Sequence, residues 1–165
     1  MNGLIIYRTK YGSTEKYAKW LGEELGFDVL PVKKVKGIAG YDTVILGSNI
    51  RMGKAGITGW INRNWSKLQD KKLAYFTSSG ALPADPLLQK YYEAVFPEKV
   101  RQRMPYFPLN GRFIFSELNW LDGHLMKMAI KMTMKSDPVE AAKLAEEYDR
   151  VNRDDIRPII DCIKG

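Results

Sequence analysis

The sequence predicts an α/β domain built on a doubly wound parallel sheet of five strands, with helices on both faces. Three observations carry that expectation. Short apolar runs alternate with segments of helical periodicity along the 165 residues, the order that produces parallel pairing through crossover connections. The first apolar run, Leu4–Tyr7, leads directly into a loop of hydroxyls and glycine that opens a helix, as in a βα unit. Nothing repeats and no segment is low in complexity, which excludes solenoids and arrays.

Each element follows from local pattern. Gly3–Arg8 reads as the first strand, and Glu15–Leu25 as a helix with Tyr17, Leu21 and Leu25 on one stripe and Gly26 as its stop. Phe27–Val32 is the second strand. The stretch Val35–Tyr41 leaves little room for a full helix before the third strand, Asp42–Ser48. Thr58–Leu68 is helical, with Trp60, Ile61, Trp65 and Leu68 spaced for burial, and Lys72–Thr77 is the fourth strand. Beyond Pro83 and Pro86, Leu87–Met104 has a helical pattern divided at Pro97. Gly111–Glu117 reads as the fifth strand. Helices over Trp120–Lys135, Pro138–Arg150 and Asp154–Ile163 complete the chain.

Composition narrows the chemistry. The length suits a single domain over residues 1–165, able to bury roughly two-thirds of its unfolded surface. Met1-Asn2-Gly3 enters a strand without a basic leader, and no run approaches the ~20 apolar residues of a membrane span. The expected location is the cytoplasm, either free or peripheral to a membrane. One cysteine, Cys162, excludes an internal disulfide and any multi-cysteine metal or iron–sulfur site; it reads as a buried spectator. One histidine, His124, excludes a histidine cluster and reads as a helix-surface residue, with no nucleophile elbow beside it. Twenty-six basic against 19 acidic residues leave a formal charge of +7. A positive field favours acidic protein surfaces, anionic lipid at a membrane edge, or an anionic substrate. No nucleic-acid module or arginine-rich run is present, so nucleic acid is not an expected partner.

Thr9-Lys10-Tyr11-Gly12-Ser13-Thr14 is the most informative motif. Backbone amides at the positive end of a helix, joined by hydroxyls, replace the water shell of a phosphate dianion. Gly12 lets the backbone approach closely, and Ser13 or Thr14 suits the helix start. The spacing is neither a dinucleotide fingerprint nor a P-loop. An ordinary capped strand-to-helix turn is the competing reading of these residues alone.

The motif resembles the phosphate loop of flavodoxin-like FMN proteins, Thr-x-Thr/Tyr-Gly-Ser/Asn-Thr. Thr43–Gly53, ending in Gly47-Ser-Asn-Ile-Arg-Met-Gly53, is similar to the third strand and flavin loop of the branch containing menaquinone-dependent protoporphyrinogen dehydrogenase. Trp120–Lys135, rich in Met and Lys, resembles that branch in kind. The resemblance implies a flavodoxin-like sheet of order 2-1-3-4-5, with FMN at the switch between strands one and three. It implies a phosphate site at Thr9, Lys10, Tyr11, Gly12, Ser13 and Thr14. Ser48, Asn49, Ile50, Arg51, Met52 and Gly53 would border the flavin ring, and Ser78, Ser79, Gly80 and Ala81 its pyrimidine end. In that placement Ile50 and Met52 offer apolar contact, Gly53 a backbone flip toward the ring, and Arg51 a charge that favours the anionic reduced flavin. Alternatively, Arg51 is a surface arginine beside Lys54, and the serines form a plain turn.

Two functions follow from the resemblance. The first is a redox protein exchanging electrons with a partner enzyme, such as a reductase with an acidic docking surface; it needs no catalytic acid or base, and none is evident. The second is an oxidoreductase acting on a tetrapyrrole with a quinone acceptor. Ala81–Leu87 lacks a basic run for propionates, although Lys99, Arg101, Arg103 and Arg112 lie further on. A scaffold without cofactor would have no use for the phosphate-loop hydroxyls. On the helix Trp120–Lys135, Lys127, Lys131 and Lys135 form one row with His124 nearby. Leu121, Leu125, Met128 and Met132 form a neighbouring face, and Met126, Ile130 and Met134 another. A core helix with a solvated lysine edge leaves the last three buried; a docking surface exposes them.

Overall fold

A computed structural model describes all 165 residues, Met1–Gly165. In chain order the elements are β1 (Gly3–Arg8), α1 (Ser13–Leu25), β2 (Asp28–Pro31), β3 (Thr43–Arg51), β4 (Lys54–Ala55), α2 (Thr58–Leu68), β5 (Lys72–Ser79), α3 (Pro86–Val95) and α4 (Glu98–Arg101). Then come β6 (Tyr106–Asn110), β7 (Arg112–Phe113), α5 (Trp120–Ser136), α6 (Pro138–Ala145), β8 (Tyr148–Asp149) and α7 (Arg157–Lys164). The chain divides into two compact units, one of Met1–Gly111 with Val151–Gly165 and one of Arg112–Arg150.

The larger unit holds the sheet. Five strands run parallel in the order β2-β1-β3-β5-β6, which is 2-1-3-4-5 among the parallel strands, as expected; β4 pairs with β3 antiparallel. The central strands are apolar on both sides because helices cover both faces. Leu4, Ile6, Val44, Leu46, Leu73 and Tyr75 pack on one face with Ile57, Ile61, Tyr92 and Phe96. Ile5, Tyr7, Ile45, Ala74 and Phe76 pack on the other with Tyr17, Leu21, Ile159 and Ile163. Each such large side chain contributes about 1.5–3 kcal/mol of burial. Between β2 and β3 the chain forms only a single 3-10 turn at Val32–Lys34, as the short spacing requires.

Four boundaries differ notably from expectation. The fifth parallel strand is Tyr106–Asn110, in register with Tyr75–Ser79, not Gly111–Glu117. Pro105 and Pro108 break the sequence pattern, but β6 is an edge strand, where a missing N–H need not interrupt a ladder. The third strand continues past Ser48 to Arg51, because β4 folds back on its end. The helix expected over Pro138–Arg150 stops at Ala145, and Tyr148–Asp149 pairs instead with Arg112–Phe113. Within the last expected helix, Arg153–Ile156 is a 3-10 turn leading into α7.

In the smaller unit the antiparallel β7–β8 pair is lined by Phe113, Phe115 and Tyr148, with the Arg150 guanidinium 4.1 Å from the Tyr148 ring centroid. Asn119 caps α5 by accepting the Asp122 N–H at 2.8 Å, and Asp137 caps α6 by accepting that of Glu140 at 3.0 Å. His124 is exposed, as expected. Cys162, in the larger unit, is partly exposed rather than buried. No helix is long and apolar enough to cross a membrane.

Candidate functional site

Parallel pairing brings three loops level at one edge of the sheet. Arg8 lies opposite Ser48, and Asn49 opposite Ser78, so the ends of β1, β3 and β5 open side by side. Ligands bind at this carboxyl edge in doubly wound folds, where the strand order reverses.

The first loop closes on itself. Gly12 adopts a left-handed conformation with φ of 91°, its N–H donates to Thr9 Oγ1 at 3.0 Å, and its carbonyl accepts the Lys16 N–H at 3.0 Å. No side chain caps α1. Its first-turn amides at Ser13, Thr14 and Glu15 therefore face the loop as donors. A Cβ built on Gly12 meets nothing within 4 Å, so the space in front is open. Ser13 and Tyr11 are half-buried at its side. The Thr14 hydroxyl turns inward, 2.8 Å from the Ser78 hydroxyl. Thr14 thus offers its amide to the loop, while its side chain ties β5 to α1.

The second loop is a two-residue hairpin. Ile50 pairs with Ala55 and Arg51 with Lys54, leaving Met52 and Gly53 at φ of 50° and 72°. Two positive φ angles are what a type I′ turn requires. Gly53 adopts this freely; Met52 does so at a cost of about 1–2 kcal/mol and is 84% exposed. Asn49 and Ile50 are half-buried. Ser48 is fully buried, and its Oγ accepts the Ile57 N–H at 3.3 Å, so it braces the turn into α2. The strand-end guanidinium of Arg8 donates to the Gly56 carbonyl at 2.8 Å and fixes the same turn.

Positive charge gathers here. Lys10, Arg51 and Lys54 are all exposed. The pKa of Lys10 is lowered, first by desolvation and then by the charge of Arg51. Two cations close enough to repel are relieved by an anion between or beside them.

The third loop extends β5. Ser78 is buried, Ser79 nearly so with its Oγ donating to the Ala81 carbonyl at 3.3 Å, Gly80 is exposed and Ala81 half-buried. Gly111 sets its position: a Cβ there would lie 2.4 Å from the Ser79 carbonyl oxygen. That residue escaped the sequence reading, and its signal was a glycine directly after a strand.

Beside the hairpin, Ile50, Gly53, Thr58, Leu88, Tyr91 and Val95 border a pocket of about 290 Å³ including its open mouth. Tyr75, Tyr92 and Tyr106 stack at its floor, with centroids 4.6–5.9 Å apart, and the Tyr106 and Thr77 hydroxyls lie 2.7 Å apart. Burial pushes the pKa of Tyr92 up to about 12 and that of Tyr75 higher still. No group of three or more His, Cys, Asp or Glu is placed to hold a metal ion.

The donor set therefore suits a phosphate: an uncapped helix end, a left-handed glycine, hydroxyls, and nearby cations. A family model described as flavodoxin domain matches residues 4–139.

The chain belongs to the flavodoxin-domain family.

Several solved structures are similar to the chain over part of its length. A flavodoxin from the domain Archaea is 17% identical, with a TM-score of 0.49 over 71% of this chain and 88% of that one. A WrbA-like flavodoxin protein from Agrobacterium tumefaciens is 20% identical, with a TM-score of 0.48 over 66% and 83%. A flavoprotein from Lactobacillus acidophilus, solved in complex with FMN, is 15% identical, with a TM-score of 0.47 over 66% and 91%. No curated protein matches in sequence.

Proposed function

We propose that this flavodoxin-domain protein binds FMN at the carboxyl edge of its sheet and carries electrons to or from a partner redox protein. One observation supports the reading above the others. The α1 N-terminus has no side-chain cap, and lies behind a left-handed glycine in a hydroxyl-bearing loop. In this family's fold that is the place for a phosphate.

The residues divide the work. The first-turn amides of Ser13, Thr14 and Glu15 and the Ser13 hydroxyl hold the phosphate, with Thr9 keeping Gly12 in position. Tyr11 and Lys10 flank it. Asn49, Ile50, Arg51, Met52 and Gly53 border the ring, and Ser78, Ser79, Gly80 and Ala81 meet its polar end. FMN, when bound, supplies one- and two-electron redox chemistry. Arg51 and Lys10 favour added negative charge, by about 1 kcal/mol or less each because both are exposed to water. The one carboxylate among these residues, Glu15, pairs with Lys19 at 2.8 Å, and there is no imidazole, which fits a carrier better than an enzyme acting on substrate protons.

Titrating the purified protein with FMN and with riboflavin tests the assignment. Tight FMN binding with much weaker riboflavin binding is expected; equal affinity for the two overturns the phosphate site. The tetrapyrrole-oxidising alternative shares the cofactor and is separated by assay. Turnover of protoporphyrinogen with a quinone acceptor by the FMN-loaded protein would replace the carrier reading.

A further inference from the structure

The helix α5 exposes apolar side chains in a pattern that a soluble surface does not call for. Leu121, Leu125, Met128 and Met132 fall at i, i+4, i+7 and i+11 and so form one stripe along the helix. They are 41–68% exposed, and Trp120, at the N-terminal end, is 84% exposed. Met126, Ile130 and Thr133, on the opposite side, are half-buried. Of the face expected to discriminate, Met126 and Ile130 are half-buried while Met134 is 51% exposed, so that face is split, and the neighbouring stripe is the one bare along its whole length.

Charge borders this stripe on one side. His124, Lys127, Lys131 and Lys135 are all exposed and form an adjoining row. The only acidic residue of α5, Asp122, is buried. The exposed surface of the helix therefore carries cations and no carboxylate. The acids just beyond its end are engaged: Asp137 caps α6, and Glu140 pairs with Lys143 at 3.6 Å.

We propose that α5 docks this protein on an anionic membrane surface, lying in the plane of the headgroups without crossing. An apolar stripe flanked by lysines, with tryptophan at one end, is the composition of an interfacial helix. At 17 residues α5 is about 25 Å long, enough to lay the whole stripe along a bilayer. A formal charge of +7 adds a general attraction to anionic lipid. Charge complementarity favours lipid over a second copy of the chain, because stacking two such helices brings two lysine rows together. The proposal stands apart from the redox reading and survives its failure.

Co-sedimentation of the full chain with vesicles of equal parts phosphatidylglycerol and phosphatidylcholine tests it. Binding is expected at low salt, weakening as salt rises and absent on pure phosphatidylcholine. The K127Q/K131Q/K135Q variant loses about fivefold per lysine. L125S and M128S each lose roughly tenfold. All substituted residues are exposed, and an unchanged circular dichroism spectrum verifies folding. Vesicles shift tryptophan emission to the blue, a response lost in W120F. Wild-type protein that stays in the supernatant overturns the proposal, as does full binding by the triple-lysine variant. So does a concentration-dependent dimer that L125S dissolves, since the stripe would then serve self-association.

Discussion

The hydroxyls of Thr14 and Ser78 lie 2.8 Å apart in the interior, joining the first turn of α1 to the end of β5. Both residues belong to loops that carry the proposed cofactor. Their contact makes the Thr9–Thr14 loop and the Ser78–Ala81 loop one mechanical piece, since neither can shift alone without unpairing a buried hydroxyl.

Replacing Thr14 by valine keeps the shape and removes the hydroxyl. The Ser78 hydroxyl is then buried without its partner, at a cost of about 1–3 kcal/mol. Urea unfolding of Thr14→Val should show that loss, and Thr14→Ser should restore most of it. Equal stability of wild type and valine variant would mean that the pair contributes nothing.

Met52 occupies a left-handed turn position that suits asparagine or glycine better. Met52→Asn should stabilise the cofactor-free protein by about 1 kcal/mol, raising the melting midpoint by roughly 2–4 °C. A lower midpoint would show that the methionine side chain compensates for its backbone.

Gly111→Ala forces a methyl toward the Ser79 carbonyl, where backbone rather than side chain must yield. The expected cost is about 1–3 kcal/mol by urea unfolding, together with weaker FMN binding because the third loop moves. Loss of stability with unchanged affinity would separate Ser79 from the site.

The buried tyrosines predict alkaline sensitivity. Tyr92 stays neutral in the folded state to about pH 12, whereas its ordinary value is 10.0. Above that ordinary value the unfolded chain releases a proton that the native one keeps. Stability is therefore complete below pH 10 and falls as pH rises toward 12. The slope is about 1.4 kcal/mol per unit for each tyrosine so held. Tyr75, raised further by burial, adds to it. Unfolding measured on both sides of that window should show the decline, and tyrosinate absorbance should show a subset of rings ionising late. A flat profile would contradict the burial.

Arg51→Gln removes a positive charge from the hairpin. The bound flavin should become harder to reduce, by about 1 kcal/mol, because an exposed guanidinium acts through a high dielectric. A redox titration against wild type reads the shift; no change places Arg51 away from the ring.

Much of this was written in local pattern. The apolar runs of β1, β3 and β5 and the periodicity of α1 and α2 are strong because both faces of the sheet are covered, so burial alone dictates residue type. The Thr9–Thr14 loop was legible as a strand-to-helix junction because its glycine and hydroxyls mark such a turn. Tyr106–Asn110 was not legible, since its prolines read as breaks until the strand is known to lie at an edge. Nor was the inward turn of Thr14 and Ser48, because a hydroxyl in a loop looks the same whether it faces ligand or backbone. Only pairing across distant strands decides that.

Tyr17 holds the chain where it leaves the sheet and where it comes back. Its hydroxyl lies 2.9 Å from both the Asn110 carbonyl and Asp155 Oδ2, and the Asn110 amide donates to that carboxylate at 3.0 Å. The two ends of the excursion through residues 112–150 therefore begin and finish side by side, like leads entering one socket. The threading of the five-stranded sheet is thereby independent of the length of chain between them, since β7 and β8 pair only with each other.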